Sequence, residues 1–294
     1  MKQEIFRGSG VAIVTPFKNN EVDYKTFGEL IEFQIANGTQ AIIVCGTTGE
    51  SSTMTDEERK ETIKYVVDKV HGRIKVIAGV GTNNTAYSIE LAKYCEEISV
   101  DGLLVVTPYY NKTTQNGLVK HYTAIAKSVN LPIILYNVPS RTGLNISVET
   151  YIELSKIPNI VATKEASGNI SQIAEIAAKC GDNLKIYSGN DDQIVPILSL
   201  GGIGVISVLA NVAPKQTNDI CEKYFAGEVI EAREMQLSYL DLINDLFIEV
   251  NPMPVKAALK ELGYDVGSPR APLCDIENKN KEKIINSMLR HKLI

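Results

Sequence analysis

A lysine late in an apolar run is the residue of this sequence best suited to covalent chemistry. Lys164 lies in the segment IVATKEASG. If that segment is a β-strand, alternation places Lys164 on one face with Ile160 and Ala162, and places Val161 and Thr163 on the other. Confinement on an apolar face disfavours the charged ammonium and favours the neutral amine, which can attack a ketone. The alternative is a solvated lysine at a frayed strand end.

Two further polar residues follow the preceding apolar run, in the segment YNVPSRTG. Tyr136 holds the equivalent late position, so its phenol could share a cavity with Lys164 and relay protons; the alternative is an ordinary core aromatic. Arg141 lies in the adjoining loop and could clamp a carboxylate through two hydrogen bonds, unless it is simply solvated. Glu165 faces away from Lys164, and we interpret it as a structural partner.

Hydroxyl-bearing residues follow two earlier runs. Thr47 and Thr48 lie between glycines in CGTTGES, where hydroxyls and turn amides suit a small carboxylate; a plain Ser/Thr turn is the alternative. Tyr109 and Tyr110 are adjacent in TPYYNK and should point in opposite directions, and we interpret Tyr109 as a packing residue. An amine, a tyrosine–threonine proton relay and a carboxylate-binding turn together predict imine chemistry on a keto acid.

Eight short apolar runs supply the elements that must position these groups. They are rich in Val and Ile, which is typical of strands buried on both faces of a parallel sheet. The predicted strands span 10–16, 41–46, 75–80, 102–107, 132–138, 160–165, 185–189 and 202–207. The GGIG stretch at 201–204 lies where a strand starts, so close strand packing explains it better than a phosphate loop does.

Amphipathic segments with helix-start signals separate the runs. Asp23, Asn84 and Ser147 are predicted N-caps, and Thr55 with Glu58 forms a capping box. Repeated strand–helix units predict an α/β protein with a parallel sheet. Eight of them favour a (β/α)8 TIM barrel, in which polar residues after the strands form the active site, over an open doubly wound sheet.

The pattern changes after about residue 224. Segments 228–249, 254–262 and 277–290 are predicted helices, with Pro254 in the first turn of its own. We therefore predict a catalytic barrel over residues 1–224 and a C-terminal helical extension over 225–294 that packs on it.

Composition narrows the function classes. The net charge is −5, from 30 Lys and Arg against 35 Asp and Glu, which gives no basic surface for nucleic acid or an anionic membrane. No run of about 18 apolar residues is present, and the N-terminus lacks the features of a signal peptide, so we expect a cytoplasmic protein. Five scattered cysteines are typical of reduced thiols, and three separated histidines predict no zinc site. We expect neither a metal nor another cofactor.

The sequence resembles the dihydrodipicolinate synthase family, within the wider N-acetylneuraminate lyase superfamily of class I aldolases. The shared segments run nearly the whole chain in family order: GVAIVTPF, GTTGES, AGVGTNNT, TPYYNK, YNVPSRTG, KEASGNI, YSGND and ANVAP. The resemblance implies condensation of pyruvate with L-aspartate 4-semialdehyde in diaminopimelate and lysine synthesis. It also implies a homo-oligomer built as a dimer of dimers.

The resemblance assigns roles to individual residues. Lys164 would form the imine with pyruvate, while Thr47, Tyr136 and Tyr110 would form a proton relay in which Tyr110 enters the neighbouring subunit's site. Thr48 would bind the pyruvate carboxylate. The remaining assignments are Gly189 and Ile206 as pocket lining, and Arg141 as the site for the second substrate's carboxylate.

A regulatory pocket differs from the family pattern. Lysine-inhibited members carry histidines after GTTGES and a glutamate after the Asn of AGVGTNNT, where this sequence has Asp56, Arg59 and Tyr87. The other pocket positions, Ser51, Asn83 and Tyr109, are retained. Loss of an acid removes a partner for the lysine ammonium, so weak or absent lysine inhibition is predicted.

Two rival functions stay open. N-acetylneuraminate lyase shares the lysine and the pyruvate chemistry, but the SRTG, SGND and NVAP segments favour the synthase, and other 2-oxo acid aldolases carry less weight. A catalytically silent barrel that binds an oxoacid belongs to a different class. It would need part of the constellation to be missing, and every part is present.

Overall fold

A computed structural model describes residues 2–294 of the chain. The strands are β1 (Gly8–Ala12), β2 (Phe17–Lys18), β3 (Glu21–Val22), β4 (Ala41–Val44), β5 (Lys75–Gly79), β6 (Gly102–Val106), β7 (Ile133–Asn137), β8 (Ile160–Glu165), β9 (Lys185–Ser188) and β10 (Gly204–Ser207). The helices are α1 (Tyr24–Ala36), α2 (Asp56–Val70), α3 (Thr85–Glu97), α4 (Gln115–Ser128), α5 (Pro139–Thr142), α6 (Val148–Leu154), α7 (Ile170–Cys180), α8 (Ile194–Ser199), α9 (Pro214–Phe225), α10 (Val229–Ser238), α11 (Leu240–Asp245), α12 (Met253–Glu261) and α13 (Asn278–Arg290).

Eight of these strands close into a parallel barrel. The order around it is β1-β10-β9-β8-β7-β6-β5-β4, and β2 with β3 forms a small separate hairpin. The predicted (β/α)8 fold is confirmed. Seven of the eight predicted apolar runs contain one barrel strand, and the first, 10–16, overlaps β1, which begins at Gly8. The first strand ends at Ala12 and not at residue 16, because the amide of Val14 bonds with the side-chain Oδ1 of Asn211, 3.1 Å away.

The inside of the barrel is packed from its amino-terminal end. Ile5 and Phe6 precede β1 and join the inner apolar cluster, where the Phe6 ring stacks on Tyr187 at a centroid distance of 4.4 Å. The Tyr187 hydroxyl donates to the carbonyl of Phe6 at 2.6 Å. A Cβ at Gly10 would lie 2.8 Å from the Phe6 ring, so only glycine at this position leaves space for the stacked Phe6 and Tyr187.

One strand departs from simple alternation. The register between β7 and β8 shifts at its start, so that Ile133 pairs with Ile160 but Ile134 pairs with Ala162. Ile160 packs with the outer cluster, while Ala162 belongs to the inner one. The prediction that Lys164 and Ile160 share a face is therefore wrong: a bulge at the strand start reverses the alternation there.

The predicted helix starts are confirmed. The side chains of Asp23, Asn84 and Ser147 accept hydrogen bonds from amides in the first turns of α1, α3 and α6. Thr55 forms the predicted capping box with Glu58 at the start of α2. These caps satisfy amides that have no partner within the helix.

The chain after α9 is helical. The predicted helix over 228–249 is two shorter helices, α10 and α11, which meet at Tyr239. In α12, Pro254 lies in the first turn as predicted, and the residues from Met253 to Leu259 are buried. Among residues 2–294, no helix is both long enough and apolar enough to cross a bilayer.

A buried histidine makes stability depend on pH. His121 on α4 is 6% exposed, its Nδ1 lies 2.9 Å from the hydroxyl of Thr85, and burial lowers its pKa from 6.5 to about 4. As the pH falls from about 6.5 towards 4, this imidazole binds a proton in the unfolded chain but stays neutral in the folded chain. The free energy of unfolding therefore decreases over this pH range.

We therefore expect His121→Phe to remove this pH dependence. The free energy of unfolding, measured by urea titration at several pH values from 7.5 to 5, should fall more steeply in the wild type than in the variant. Parallel curves for the two proteins would show that His121 is not the responsible group.

Candidate active site

Lys164 lies inside the carboxyl-terminal mouth of the barrel. It is 5% exposed and pairs in register with Tyr136 on β7. Its Nζ lies 4.3 Å from the centroid of the Tyr136 ring, and the described chain contains no ion pair to it. The structure thus brings together the predicted amine and the predicted phenol.

Glycine at the end of β9 leaves room for the lysine. A Cβ at Gly189 would lie 3.1 Å from Cε of Lys164 and 2.7 Å from Cβ of Ala166. Ile206 on β10 is fully buried in the inner cluster. Both residues therefore lie at the barrel interior, and a side chain at position 189 would press on Ala166 and on the lysine.

The Thr47–Thr48 turn follows β4. It begins after Cys45 and ends at Glu50. The φ angles of these two residues, 53° and 55°, lie in the left-handed region. Gly79 allows the turn to pass over β5, because a Cβ there would lie 2.3 Å from the Cys45 carbonyl oxygen. Thr48 is 3% exposed and Thr47 is half-buried.

A cavity of about 280 Å³ opens at this end of the barrel. Its lining includes the predicted residues Thr47, Tyr136 and Arg141, and the pocket residues Ser51, Arg59 and Tyr109. Three predicted substrate-site residues and three predicted regulatory residues therefore share one opening, whereas Lys164, Thr48, Gly189 and Ile206 are not part of its lining.

Asn251, just before α12, connects two of the predicted binding residues. Its side-chain Nδ2 donates to Oγ1 of Thr48 at 2.9 Å, and its backbone carbonyl accepts from Nη2 of Arg141 at 3.0 Å. In the sequence, Asn251-Pro252 indicates only a helix break, and Asn251 was not predicted to be part of the site. An amide side chain beside a proline, directly before a helix, was the only signal available.

A buried ion pair between Lys256 and Glu50 supports the end of the threonine turn. Lys256 on α12 lies 2.5 Å from Glu50 Oε1, with side-chain exposures of 2% and 1%. The backbone amide of Arg270 donates to Glu50 Oε2 at 2.8 Å. Desolvation lowers the pKa of Lys256, and the Glu50 carboxylate opposes that shift. Sequence reasoning missed this pair, although a lysine on the apolar side of α12 was a visible anomaly.

Glu165 has the structural setting expected for it. Its Oε1 accepts from the Tyr151 hydroxyl at 2.5 Å and from Asn137 Nδ2 at 2.9 Å, and Ser167 donates to Oε2 at 2.7 Å. Burial raises its pKa although these hydrogen bonds oppose the shift. The network lies behind β8, on the side opposite Lys164, and fixes the strand that carries the amine.

The two adjacent tyrosines diverge as expected. Tyr109 is half-buried and lines the cavity. Tyr110 is 93% exposed and has a φ of 68°, so in the single chain its ring projects into solvent, away from Lys164. A positive φ at a residue other than glycine is uncommon, and here it accompanies an aromatic ring held in solvent.

Four of the regulatory positions make hydrogen bonds within the chain, although the buried Nε of Arg59 has no partner among the described residues. Arg59 is buried and donates from Nη2 to the carbonyl of Gly79 at 2.6 Å. The Tyr87 hydroxyl donates to Asp56 at 2.5 Å. Burial, together with this hydrogen bond, raises the pKa of Tyr87 to about 12. Asn83 donates to the carbonyl of Tyr109 at 3.1 Å.

Chemically, the site offers a confined amine, a phenol against it and a hydroxyl turn at the mouth of a (β/α)8 barrel. Among residues 2–294, no group of three or more His, Cys, Asp and Glu side chains could hold a metal ion. The fold and these residues define a Schiff-base-forming lyase of the class I aldolase type.

Comparison with known proteins gives the family. Residues 5–291 match the model of the dihydrodipicolinate synthetase family, and the chain belongs to that family. It is 58% identical to the 4-hydroxy-tetrahydrodipicolinate synthase of Clostridium novyi, over 97% of this chain and 96% of the relative.

Solved structures agree with this assignment. The crystal structure of dihydrodipicolinate synthase from Aquifex aeolicus has a TM-score of 0.96 and 45% identity, with 98% of this chain and 99% of that chain covered. The enzyme of Cyanidioschyzon merolae, crystallised with lysine bound, has a TM-score of 0.96 and 42% identity, with coverage of 99% and 100%.

The buried ion pair beneath the turn gives a stability prediction. Lys256→Met leaves the Glu50 carboxylate buried without a cation, so we expect a loss of about 3–5 kcal/mol in the free energy of unfolding. Urea denaturation measures this loss. Lys260→Met on the same helix is the matched control, because Lys260 is partly exposed and 3.4 Å from Asp275; it should cost less than about 1 kcal/mol.

The double variant separates pairing from packing. Glu50→Gln with Lys256→Met removes both charges, so its loss should be smaller than the sum of the two single losses. Additive losses would mean that the two side chains do not act as a pair.

Proposed function

We propose that this protein condenses pyruvate with L-aspartate 4-semialdehyde to give 4-hydroxy-tetrahydrodipicolinate, the reaction after which its curated relatives are named. The product feeds diaminopimelate and lysine synthesis. The observation that carries the proposal is the buried Lys164 amine against Tyr136, at the barrel end where enzymes of this fold hold their active sites.

Lys164 acts as the nucleophile. Its neutral amine attacks C2 of pyruvate, and the resulting carbinolamine loses water to form an imine. Loss of a proton from C3 gives the enamine, whose C3 attacks the aldehyde carbon of the second substrate. The amino group of that substrate then attacks C2, closing the ring and releasing Lys164.

Proton transfer and carboxylate binding fall to the residues around the amine. Tyr136 and Thr47 move protons during carbinolamine formation and dehydration, and Tyr110 completes the relay from a neighbouring subunit. Thr48 binds the carboxylate of pyruvate. Arg141, exposed at the rim, receives the carboxylate of the semialdehyde, for which a planar guanidinium is well suited.

The exposed position of Tyr110 supports a homo-oligomer. A ring that is 93% exposed in one chain does not contribute to that chain's own site, whereas across a dimer it can reach the site of a second copy. We therefore propose a tight dimer as the catalytic unit, with two dimers forming the tetramer.

The first test is reductive trapping. Borohydride treatment in the presence of pyruvate should leave a stable adduct on the peptide that contains Lys164, detected by mass spectrometry. Lys164→Ala should abolish the adduct, because the amine is then gone.

Lys256 is an internal control for this experiment. It is as buried as Lys164 and also lies over an aromatic ring, 4.4 Å from the centroid of Phe17, but it is paired with Glu50. Its peptide should remain unmodified. An adduct on Lys256, or equal labelling of several lysines, would falsify the assignment of Lys164.

A turnover assay separates the rival functions. Consumption of pyruvate with the semialdehyde identifies the synthase, whereas cleavage of N-acetylneuraminate identifies the lyase. Imine formation without turnover of either substrate would identify a silent oxoacid-binding barrel.

We further propose that L-lysine inhibits the enzyme weakly or not at all. A bound lysine needs a carboxylate or another acceptor for its ammonium, but Asp56 is engaged by Tyr87 and Arg59 places a cation beside the same opening. Initial rates should therefore change little when L-lysine is raised into the millimolar range. Inhibition at micromolar lysine would contradict this proposal.

A further inference from the structure

Asn251 has the contacts of a residue that orients substrate-binding groups. We propose that it is a positioning residue for pyruvate, which fixes the direction of the Thr48 hydroxyl and the orientation of Arg141. The proposal rests on the function argued above, since it assumes that Thr48 binds a carboxylate.

The hydrogen bond to Thr48 is buried and specific. Asn251 is 5% exposed and Thr48 is 3% exposed, so water does not compete freely for either side chain. Nδ2 of Asn251 donates to Oγ1 of Thr48 at 2.9 Å. The two residues are 203 positions apart, so the contact depends on α12 packing against the barrel mouth.

This bond determines where the Thr48 proton points. A threonine hydroxyl has one proton to donate and two lone pairs that accept. With a lone pair occupied by the Asn251 amide, the proton is directed elsewhere, and a carboxylate in the site is its natural acceptor. Without Asn251 the hydroxyl can rotate, and orienting it when the carboxylate binds reduces the affinity for the substrate.

The main chain of Asn251 acts on Arg141 in the same way. Its carbonyl accepts one N–H of the guanidinium at 3.0 Å. The remaining donors of the guanidinium stay available for a ligand carboxylate. One residue thus sets the direction of the hydroxyl at one end of the site and of the guanidinium at the other.

The Oδ1 atom of Asn251 also supports a role at the site. It is buried and has no hydrogen-bond partner within residues 2–294. A buried, unpaired acceptor is costly and calls for an explanation, and a ligand or a water molecule in the site would supply its partner. Aspartate at this position would place an acceptor opposite Thr48 and would draw the hydroxyl proton away from the substrate.

Steady-state kinetics with both substrates tests the proposal. Asn251→Ala should raise the KM for pyruvate about tenfold, which is the effect of losing one oriented hydrogen bond to a charged group. Asn251→Asp should raise it further, because it reverses the polarity of the contact and adds a negative charge. The KM is independent of the fraction of folded enzyme, so partial unfolding does not imitate this result.

Two controls make the interpretation specific. Asn280 is a buried asparagine of α13, 7% exposed, whose amide donates to Glu249 at 2.7 Å. Asn280→Ala should lower thermal stability without changing the KM for pyruvate. If Asn251 acts through Thr48, the Thr48→Val, Asn251→Ala double variant should have nearly the KM of Thr48→Val alone.

The outcomes distinguish this proposal from the proposed function. If the wild type neither forms the pyruvate imine nor turns over, the function itself fails. If the wild type is active and Asn251→Ala keeps its pyruvate KM within twofold, or if the two substitutions are fully additive, Asn251 is a structural residue only and the positioning role is overturned.

Discussion

The central constraint on this protein is that an amine must be kept from water without a carboxylate to pair with it. The two buried lysines show the contrast, since both lie over an aromatic ring but only Lys256 has an anionic partner. An ion pair would hold the amine against a carboxylate and keep it from a substrate carbonyl. The barrel therefore surrounds it with Tyr136, small residues such as Ala162, and a glycine at position 189.

The site is completed by a part of the chain that contributes no barrel strand. Lys256 and Arg270 hold Glu50, and Asn251 holds Thr48, so the loop after β4 is shaped largely by C-terminal residues. Because Glu50 has a left-handed backbone, the turn needs such external support. The C-terminal helices are thus part of the architecture of the site, and removing them would deform it even if the barrel stayed closed.

The sequence was sufficient for the features that depend on local patterns. Val- and Ile-rich runs located all eight barrel strands, and capping residues located the helix starts, because hydrophobic periodicity and end signals act over a few residues. The lysine and its phenol were predictable as late-strand polar residues. The prediction for the face of Ile160 was wrong because a bulge shifts the alternation. Asn251 and Lys256 were missed because Thr48 and Glu50, which they contact, lie more than 200 positions away.

The stacked pair of Phe6 and Tyr187 has a consequence for substrate access. It fills the amino-terminal end of the barrel interior, opposite the cavity at the carboxyl-terminal end. We therefore expect substrates to enter and leave at the carboxyl-terminal end. A small keto acid seated at the bottom can be covered by a larger second reactant, but it cannot slip in underneath one. For the proposed reaction, this shape favours binding of the smaller molecule first and of the larger one above it.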